Sequence, residues 1–334
     1  MGRYVARRLI QFIPVILGTL FLLHILTTVT IQVVGDPVRA LFGENAPPAE
    51  IIQQLQVQYG LDDPCLQQTG NPCFGLFVDR LGQYMQGDFG TNYRGRSVSE
   101  LFLERVGITL RMQFIALAFE IVVGIFIGVL AGLRKDKFID NLVRITTSVL
   151  IAVPVFVAGS LAVLFIGLKI GLPLRESEWA PEWLGQMFQV GYNPEYPWLS
   201  LFLPGIVLGS FSLAAIARLT RTSLIENLRS DYVRTARAKG LTTRRVVAIH
   251  TLRNSLIPVV TYIGIDLGLL LGGSLVTEGI FNVPGIGLLT FQAIQSNDTP
   301  VILGVVTVLT IVFLISSLLV DLLYAALDPR IRYE

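Results

Sequence analysis

Charged residues are scarce in this sequence, and their scarcity excludes an ordinary soluble protein. Only 15% of the 334 residues are Asp, Glu, Lys or Arg, whereas 52% are hydrophobic, and the mean hydropathy is +0.64. Histidine is rare as well, with only His24 and His250. Neither a glycine-rich phosphate loop ending in Gly-Lys nor an HExxH zinc motif occurs. We therefore expect no ATP binding by such a loop, no resident metal and no catalysis by this chain.

The apolar residues are collected in long blocks. A transmembrane helix needs about 20 mostly apolar residues, and core helices of soluble proteins are seldom so long or so uniformly apolar. The sequence thus predicts an all-α, polytopic membrane protein with six transmembrane helices. The six blocks are 9–31, 107–133, 145–170, 200–217, 255–275 and 301–324.

The distribution of Lys and Arg predicts the orientation in the membrane. With the N-terminus inside, the cytoplasmic segments hold 18 of the 26 Lys and Arg residues, and the external segments hold six. Because cytoplasmic loops carry such an excess, both termini are expected in the cytoplasm, and the net charge of +2 requires no nucleic-acid partner. The first block is too long for a secretory signal core, which predicts a retained helix. The cytoplasmic segments are 1–8, 134–144, 218–254 and 325–334.

The external segment 32–106 contains helical patterns separated by glycines and turn residues, so it predicts a helical cap inserted between the first two transmembrane helices. It also contains the only cysteines, Cys65 and Cys73. Since the external side is usually oxidising, one interpretation is a disulfide, and the other is two free thiols without a role. No His or third Cys lies nearby, so a metal site is not expected.

Two acidic residues, Glu120 and Asp266, fall near the middle of predicted transmembrane helices. An unpaired charge is costly there, so each should face a cavity or a partner. Two interpretations remain open: the acids line a transport path and attract cationic groups, or they form hydrogen bonds between helices. Gly124, Gly128 and Gly132 recur every four residues beside Glu120, a spacing typical of close helix packing in lipid.

The segment 231–250 is basic and compatible with a helix. Val233, Ala236 and Gly240 fall on one side of it, where small residues permit the close approach of another surface. The flanking cations fit either an acidic partner or the membrane surface. The cations and polar residues beside the small side are Arg234, Thr235, Arg237, Lys239, Arg244 and Arg245.

The same segment resembles the cytoplasmic loop of permease subunits of ATP-binding-cassette importers, in the form that the dipeptide/oligopeptide/nickel family has. The shared residues are TARAKG at 235–240, Leu252-Arg-Asn254 and Pro258. The general importer motif has Glu-Ala-Ala with a Gly four residues later. Here Arg234-Thr235-Ala236 stand in those places and Gly240 keeps its position, as in the peptide subfamily.

Further motifs follow the order of that family over nearly the full length, and they are most similar to the first subunit of the peptide permease pair. The motifs are Gly35-Asp-Pro37, Tyr59-Gly-Leu-Asp62, Gly87-Asp-Phe-Gly90, Glu278-Gly-Ile-Phe281, Pro284-Gly-Ile-Gly287, Asp321-Leu-Leu-Tyr324 and Asp328-Pro-Arg330.

The resemblance implies a type I importer permease fold and a function in ATP-driven peptide uptake in a prokaryotic cytoplasmic membrane. The implied partners are a second permease subunit, two cytoplasmic ATP-binding subunits that hold ATP and Mg²⁺, an external solute-binding protein, the peptide and membrane lipid; the chain itself needs no cofactor. The implied ATPase contact consists of Arg234, Thr235, Ala236, Arg237, Lys239, Gly240, Arg244 and Arg245.

Other functions remain open at this point. An ATP-independent carrier or channel would use Glu120 and Asp266 for proton or ion coupling, and a receptor or scaffold would transport nothing. Within the family, nickel-chelate and sugar permeases share these motifs. The predicted division is 1–31 (N-terminal tail and first helix), 32–106 (external cap), 107–324 (five-helix permease core with coupling segment 218–254) and 325–334 (cytoplasmic tail).

Overall fold

The computed structural model describes residues 2–35, 38, 48–59, 61–92, 94–296 and 298–327. Parts of three predicted motifs, at Asp36-Pro37, Gly60 and Asp328-Pro-Arg330, lie outside the described residues, as does most of the predicted tail 325–334. The chain divides into two compact units. One comprises Met1–Gly107 and Leu288–Glu334, and the other comprises Ile108–Gly287.

The regular structure of the described residues is helical, apart from one isolated bridge between Thr91 and Ser97. Two helices contain π-helical stretches, α6 over Ala162–Gly171 and α10 over Val246–Thr251. The helices are α1 (Gly2–Val34), α2 (Ala49–Gln58), α3 (Phe74–Met85), α4 (Val98–Leu133), α5 (Phe138–Ala152), α6 (Val155–Glu176), α7 (Glu182–Met187), α8 (Phe202–Asn227), α9 (Asp231–Ala238), α10 (Thr243–Ser255), α11 (Ile257–Phe281), α12 (Ile286–Gln295) and α13 (Thr299–Leu327).

Among the described residues, five helices are long and apolar enough to cross a membrane, or up to seven if each of two bent pairs is one span. The all-α, multi-pass prediction is confirmed, whereas the count of six remains a prediction. The five helices are α1, α4, α6, α8 and α13, and the bent pairs are α10 with α11 and α11 with α12.

The block 145–170, predicted as one helix, is interrupted. Helix α5 ends at Ala152, and α6 begins at Val155 after Pro154. Proline has no N–H to donate and its ring disfavours the helical conformation in the preceding residue. The block is therefore apolar throughout, but it does not form one continuous helix.

Helix α8 lies at the centre of the unit Ile108–Gly287. In its most apolar window 61% of the residues are buried, against 11–28% in the other four candidate spans. Helix α4 approaches it closely through glycine: a Cβ on Gly128 would lie 2.6 Å from the carbonyl oxygen of Ala217, and one on Gly209 would lie 2.5 Å from that of Ala116. The predicted close packing of small residues is thus present between α4 and α8.

In the other unit, the second half of α1 carries polar side chains among its apolar ones, and the insertion of the same unit contacts two of them. The Nε2 atom of His24 lies 3.2 Å from the carbonyl oxygens of both Pro72 and Cys73. The Gln32 amide donates to the carbonyl of Asn71 (2.9 Å). Cys65 and Cys73 are joined in a disulfide. The segment 61–77 therefore satisfies polar groups of α1 that would otherwise face lipid.

An ion pair joins α5 to α8. The Asp140 side chain is fully buried and accepts two hydrogen bonds from the Arg221 guanidinium, one of 2.7 Å from Nη2 and one from Nε. The Asp136 backbone N–H donates a third (2.8 Å). Such bidentate, charge-assisted geometry fixes the relative orientation of the two side chains as well as the distance between them.

We predict that the disulfide stabilises the segment around it. Replacing Cys65 and Cys73 together by Ser should lower the free energy of unfolding by about 2–3 kcal/mol, because the open chain regains loop entropy. Thiol labelling of the intact protein, followed by thermal unfolding of both forms, measures this. Labelling without a reductant, in protein isolated from an oxidising compartment, would contradict the pairing.

Asp140→Asn should lower the free energy of unfolding by about 3 kcal/mol at neutral pH, because Arg221 loses its counter-charge. The guanidinium, with a smaller contribution from the Asp136 amide, holds the pKa of the Asp140 carboxyl below its ordinary value. The contribution of Asp140 is therefore fully present above about pH 4 and is lost as the pH falls through the folded pKa.

Chemical unfolding of the wild type and the variant at several pH values tests this dependence. The difference between them should shrink below about pH 4. Asp136→Asn is the matched control, because the Asp136 side chain is exposed and only its backbone N–H reaches Asp140. An equal loss of stability in both variants would show that the Asp140–Arg221 pair is not the cause.

Candidate functional site

The predicted contact segment forms helix α9 and the start of α10, with two of the three residues on its small side turned inward. Val233 and Ala236 are buried and form a cluster with Val246, against which Leu241 packs. This differs from the expectation that the small side contacts a partner. The apolar side chains of so short a helix need cover, and α10 of the same chain provides it.

The opposite side of α9 and the first turn of α10 form an exposed basic surface, which we call the basic surface. Thr235 is exposed there and its hydroxyl donates to the Asp231 carbonyl (2.9 Å). One exposed ion pair, between Arg234 and Asp231 at 3.3 Å, contributes little because water screens it. The cations remain available to a partner; they are Arg234, Arg237, Lys239, Arg244 and Arg245.

Gly240 ends helix α9 with a left-handed backbone conformation. Its φ is +78°, and its N–H donates to the Arg237 carbonyl (2.9 Å). Helices often end with glycine in this conformation, which other L residues adopt at a cost. A Cβ at this position would meet nothing within 4 Å. The requirement for glycine therefore arises from the backbone and not from crowding within this chain.

Helix α9 is tied to the end of α8 by short polar contacts. The Tyr232 hydroxyl donates to the Asn227 side chain (2.7 Å), and that side chain in turn donates to the Ser223 carbonyl (2.9 Å). The Ser255 hydroxyl of α10 reaches the same carbonyl at 3.5 Å. The helices that carry the basic surface are therefore hydrogen-bonded to α8, the central helix of this unit.

Glu120 and Asp266 are brought together in the interior of the same unit. Both side chains are almost completely buried, and the two carboxyl groups interact electrostatically. The Ser212 hydroxyl of α8 donates to Asp266 Oδ1, whereas Asp266 Oδ2 and both Glu120 oxygens have no partner of ordinary hydrogen-bond geometry. Ionising both of two adjacent buried carboxyl groups costs free energy when no cation lies close to them.

A cavity of about 450 Å³ opens next to this acid pair. Ser212, Tyr262 and Asp266 supply its polar groups, and the other lining residues are mostly apolar. Glu120 is not among its lining residues. Asp266 is the acid that lines this cavity, although its carboxyl group is almost completely buried. The apolar lining residues are Ile151, Val155, Leu208, Phe211, Ala215 and Leu270.

Glu278 is a buried acid to which the sequence reasoning assigned no role. Its carboxylate accepts a hydrogen bond from the Thr109 hydroxyl (2.7 Å), and the same hydroxyl accepts one from the Ile286 backbone N–H (2.9 Å). A Cβ on Gly285 would collide with the Glu278 carboxyl group. The sequence did contain a signal: Glu278 belongs to one family motif, and Gly285, seven residues later, belongs to the next. Each motif was matched to the family separately, and a contact between the two was not predicted.

Comparisons with known proteins give a consistent family. Residues 124–333 match the family model described as the binding-protein-dependent transport system inner membrane component. Over the full length of both chains, the sequence is 36% identical to the dipeptide transport system permease protein DppB of Haemophilus influenzae and 34% identical to that of Escherichia coli strain K12.

These matches extend beyond the segment 231–250 to both ends of the chain. With the apolar helices, they make the protein a multi-pass membrane protein of a bacterial transport system and a non-catalytic subunit. The resemblance to permease subunits of peptide-type ATP-binding-cassette importers is confirmed: the chain belongs to the family of inner membrane components of binding-protein-dependent transport systems.

Proposed function

We propose that this chain is a permease subunit of an ATP-driven peptide importer and forms half of its translocation pore. The observation that carries the proposal is the match, over full length, to dipeptide permeases. The proposed partners are a second permease subunit, two cytoplasmic ATP-binding subunits and an external solute-binding protein. Both termini and the basic surface are proposed to lie in the cytoplasm, in agreement with the distribution of Lys and Arg.

In the proposed coupling mechanism, the ATPase subunits bind the basic surface through an acidic face. Closure of the ATPase pair moves α9, and the contacts of Tyr232 and Asn227 carry this movement to α8. Because α8 also contributes Ser212 to the acid pair, the same displacement reaches the cavity. The bundle then alternates between outward and inward access.

The cavity beside Asp266 is proposed to accept the ammonium groups of peptides. A carboxylate in a poorly hydrated cavity attracts a cation more strongly than it does in water, because screening is weaker. The alternative of a proton-driven carrier would also use the pair of Glu120 and Asp266, but family membership favours the ATP-driven importer.

Uptake measurements distinguish the two mechanisms. The chain, co-expressed with its neighbouring transport genes and reconstituted into proteoliposomes, should import peptides only with internal ATP and the solute-binding protein present. Collapse of the proton gradient should leave uptake unchanged. Peptide uptake driven by a proton gradient without ATP would reject the importer.

We predict that Gly240→Glu leaves the chain inserted but abolishes most ATP-dependent uptake. The change strains the left-handed backbone by roughly 1–2 kcal/mol and places a negative charge within the basic surface. Co-purification of the ATPase subunits should fall in parallel. Gly240→Asn is the matched control, because Asn tolerates this conformation and adds no charge. Normal uptake and normal co-purification in Gly240→Glu would contradict the contact.

A second prediction concerns Glu120 and Asp266. The double variant Glu120→Gln with Asp266→Asn should lower uptake of Lys-rich or free-amine peptides by about tenfold, which corresponds to one lost charged contact. Uptake of neutral, N-blocked peptides should change little. Glu226→Gln, which neutralises an exposed acid on α8, is the control. An equal loss for both peptide classes, normalised to assembled complex, would assign the pair to helix packing instead.

A further inference from the structure

An arginine of α8 lies next to the cavity that Asp266 lines, and no role has yet been assigned to it. Helix α8 carries a row of residues that are not buried and that follow one another at intervals of three or four positions, so they share one side of the helix. They are Phe211, Ala215, Arg218 and Thr222. Phe211 and Ala215 line the cavity. Arg218 is exposed and comes three residues after Ala215, which places it about one turn beyond the cavity, toward the basic surface.

Helix α5 holds the guanidinium of Arg218 in place. Its Nε donates to the Thr147 hydroxyl (3.1 Å) and its Nη2 donates to the Ser148 hydroxyl (2.9 Å). These two hydroxyls precede Ile151, which lines the cavity from α5, by four and three residues. Arg218 and the cavity therefore lie in the same groove between α5 and α8, and the guanidinium has a fixed orientation there.

The guanidinium retains hydrogen-bond donors for a ligand. It has five N–H donors, and the two hydroxyls of α5 use two of them, one on Nε and one on Nη2. In the part of the chain that the structure describes, Nη1 donates to no acceptor, and no carboxylate forms an ion pair with Arg218. Arg221, one turn further along α8, has Asp140 as its counter-charge. Arg218 is thus an oriented cation whose free edge matches a carboxylate, which a guanidinium binds through two parallel hydrogen bonds.

We propose that Arg218 binds the C-terminal carboxylate of a short peptide in the translocation path. This assignment rests on the proposed function and adds the group that recognises the other end of the substrate. Ser212, which donates to Asp266, precedes Arg218 by six residues, about 9 Å along the helix. An extended chain spans at most ~3.3–3.6 Å per residue, so two or three residues cover this separation. The groove therefore fits a dipeptide or a tripeptide.

The surface between the two charges explains why the ends of the peptide would be recognised. Ile151 and Ala215 lie there, and most of the other residues that line the cavity are also apolar. Apolar walls offer no hydrogen bonds that would select one polar side chain over another. The terminal charges are common to all unmodified peptides, so a groove with an acid and a guanidinium at its ends accepts short peptides of varied sequence.

Peptide binding to the assembled, purified transporter tests the role of Arg218. The measurement is made without the solute-binding protein, so its own preferences do not enter. The probes are trialanine and trialanine amide, which differ in the charge of the C-terminal group. The wild type should bind trialanine about tenfold more tightly than the amide, because only the acid forms the charge-assisted contact. Arg218→Gln should weaken trialanine binding by about tenfold and leave amide binding unchanged.

Two further comparisons separate this contact from other effects. Arg229→Gln is the matched control, because Arg229 is an exposed arginine two residues after the end of α8, and it should change neither affinity. N-acetyl trialanine keeps the carboxylate but has no ammonium group. Arg218→Gln should weaken its binding by the same factor as that of trialanine, since Arg218 contacts only the carboxylate.

Three results would overturn the proposal. The first is equal affinity of the wild type for trialanine and its amide. The second is an equal loss for both probes in Arg218→Gln, which would assign Arg218 to the packing of α5 against α8. The third is an equal effect of Arg218→Gln and Arg229→Gln. Failure of the proposed function looks different, because the wild type would then show no ATP-dependent peptide uptake. Normal uptake without a preference for the carboxylate would reject the site at Arg218 alone.

Discussion

Close packing of α4 against α8 is the constraint on which the unit Ile108–Gly287 depends. A Cβ on Gly128 or Gly209 would fall 2.5–2.6 Å from a backbone oxygen of the other helix, so larger residues would force the helices apart. In lipid, close contact of this kind replaces the hydrophobic effect as the attraction between helices. Glu120 lies one turn from Gly124 on α4, and Ser212 lies three residues after Gly209 on α8. The packing that holds the helices together therefore also positions the polar groups of the candidate site.

The buried acids of this unit have different partners. Asp140 has a bidentate guanidinium partner, and Glu278 accepts from Thr109. Glu120 and Asp266 have each other and one hydroxyl. An acid that is hydrogen-bonded to a partner makes its surroundings more rigid. An acid pair that has no cation beside it can still bind a cation. Asp266 also lines a cavity, and this position is the basis of the role proposed for the pair.

Much of the architecture could be predicted from the sequence. Helices that span a bilayer need long apolar blocks, and helices that pack closely in lipid need regularly spaced small residues, and both patterns can be read directly from the sequence. Residues with a long-range partner could not be placed in this way. His24 appeared as an isolated polar residue in an apolar helix, and its partners are backbone carbonyls 48 and 49 residues away. Pro154 can be read from the sequence, but the uniformly apolar character of the block 145–170 led to the prediction of a single helix. Glu120 and Asp266 could be singled out from the sequence because a charge inside a membrane is energetically costly. Their proximity to each other could not be predicted, because it depends on how α4 and α11 both pack against α8.

The orientation of α9 shows most clearly how tertiary packing changes the meaning of a sequence pattern. The small side of TARAKG suggested a surface for another protein, but Val233 and Ala236 are covered by Val246 of the same chain. Small residues here allow α10 to fold back onto α9, and the cations are thereby directed outward. A partner that attaches to this surface binds charges rather than a groove, so attachment should be rapid and sensitive to ionic strength. The small apolar core beneath joins α9 to α10, so the charges lie on a single packed unit that contacts α8 through Asn227 and Ser255.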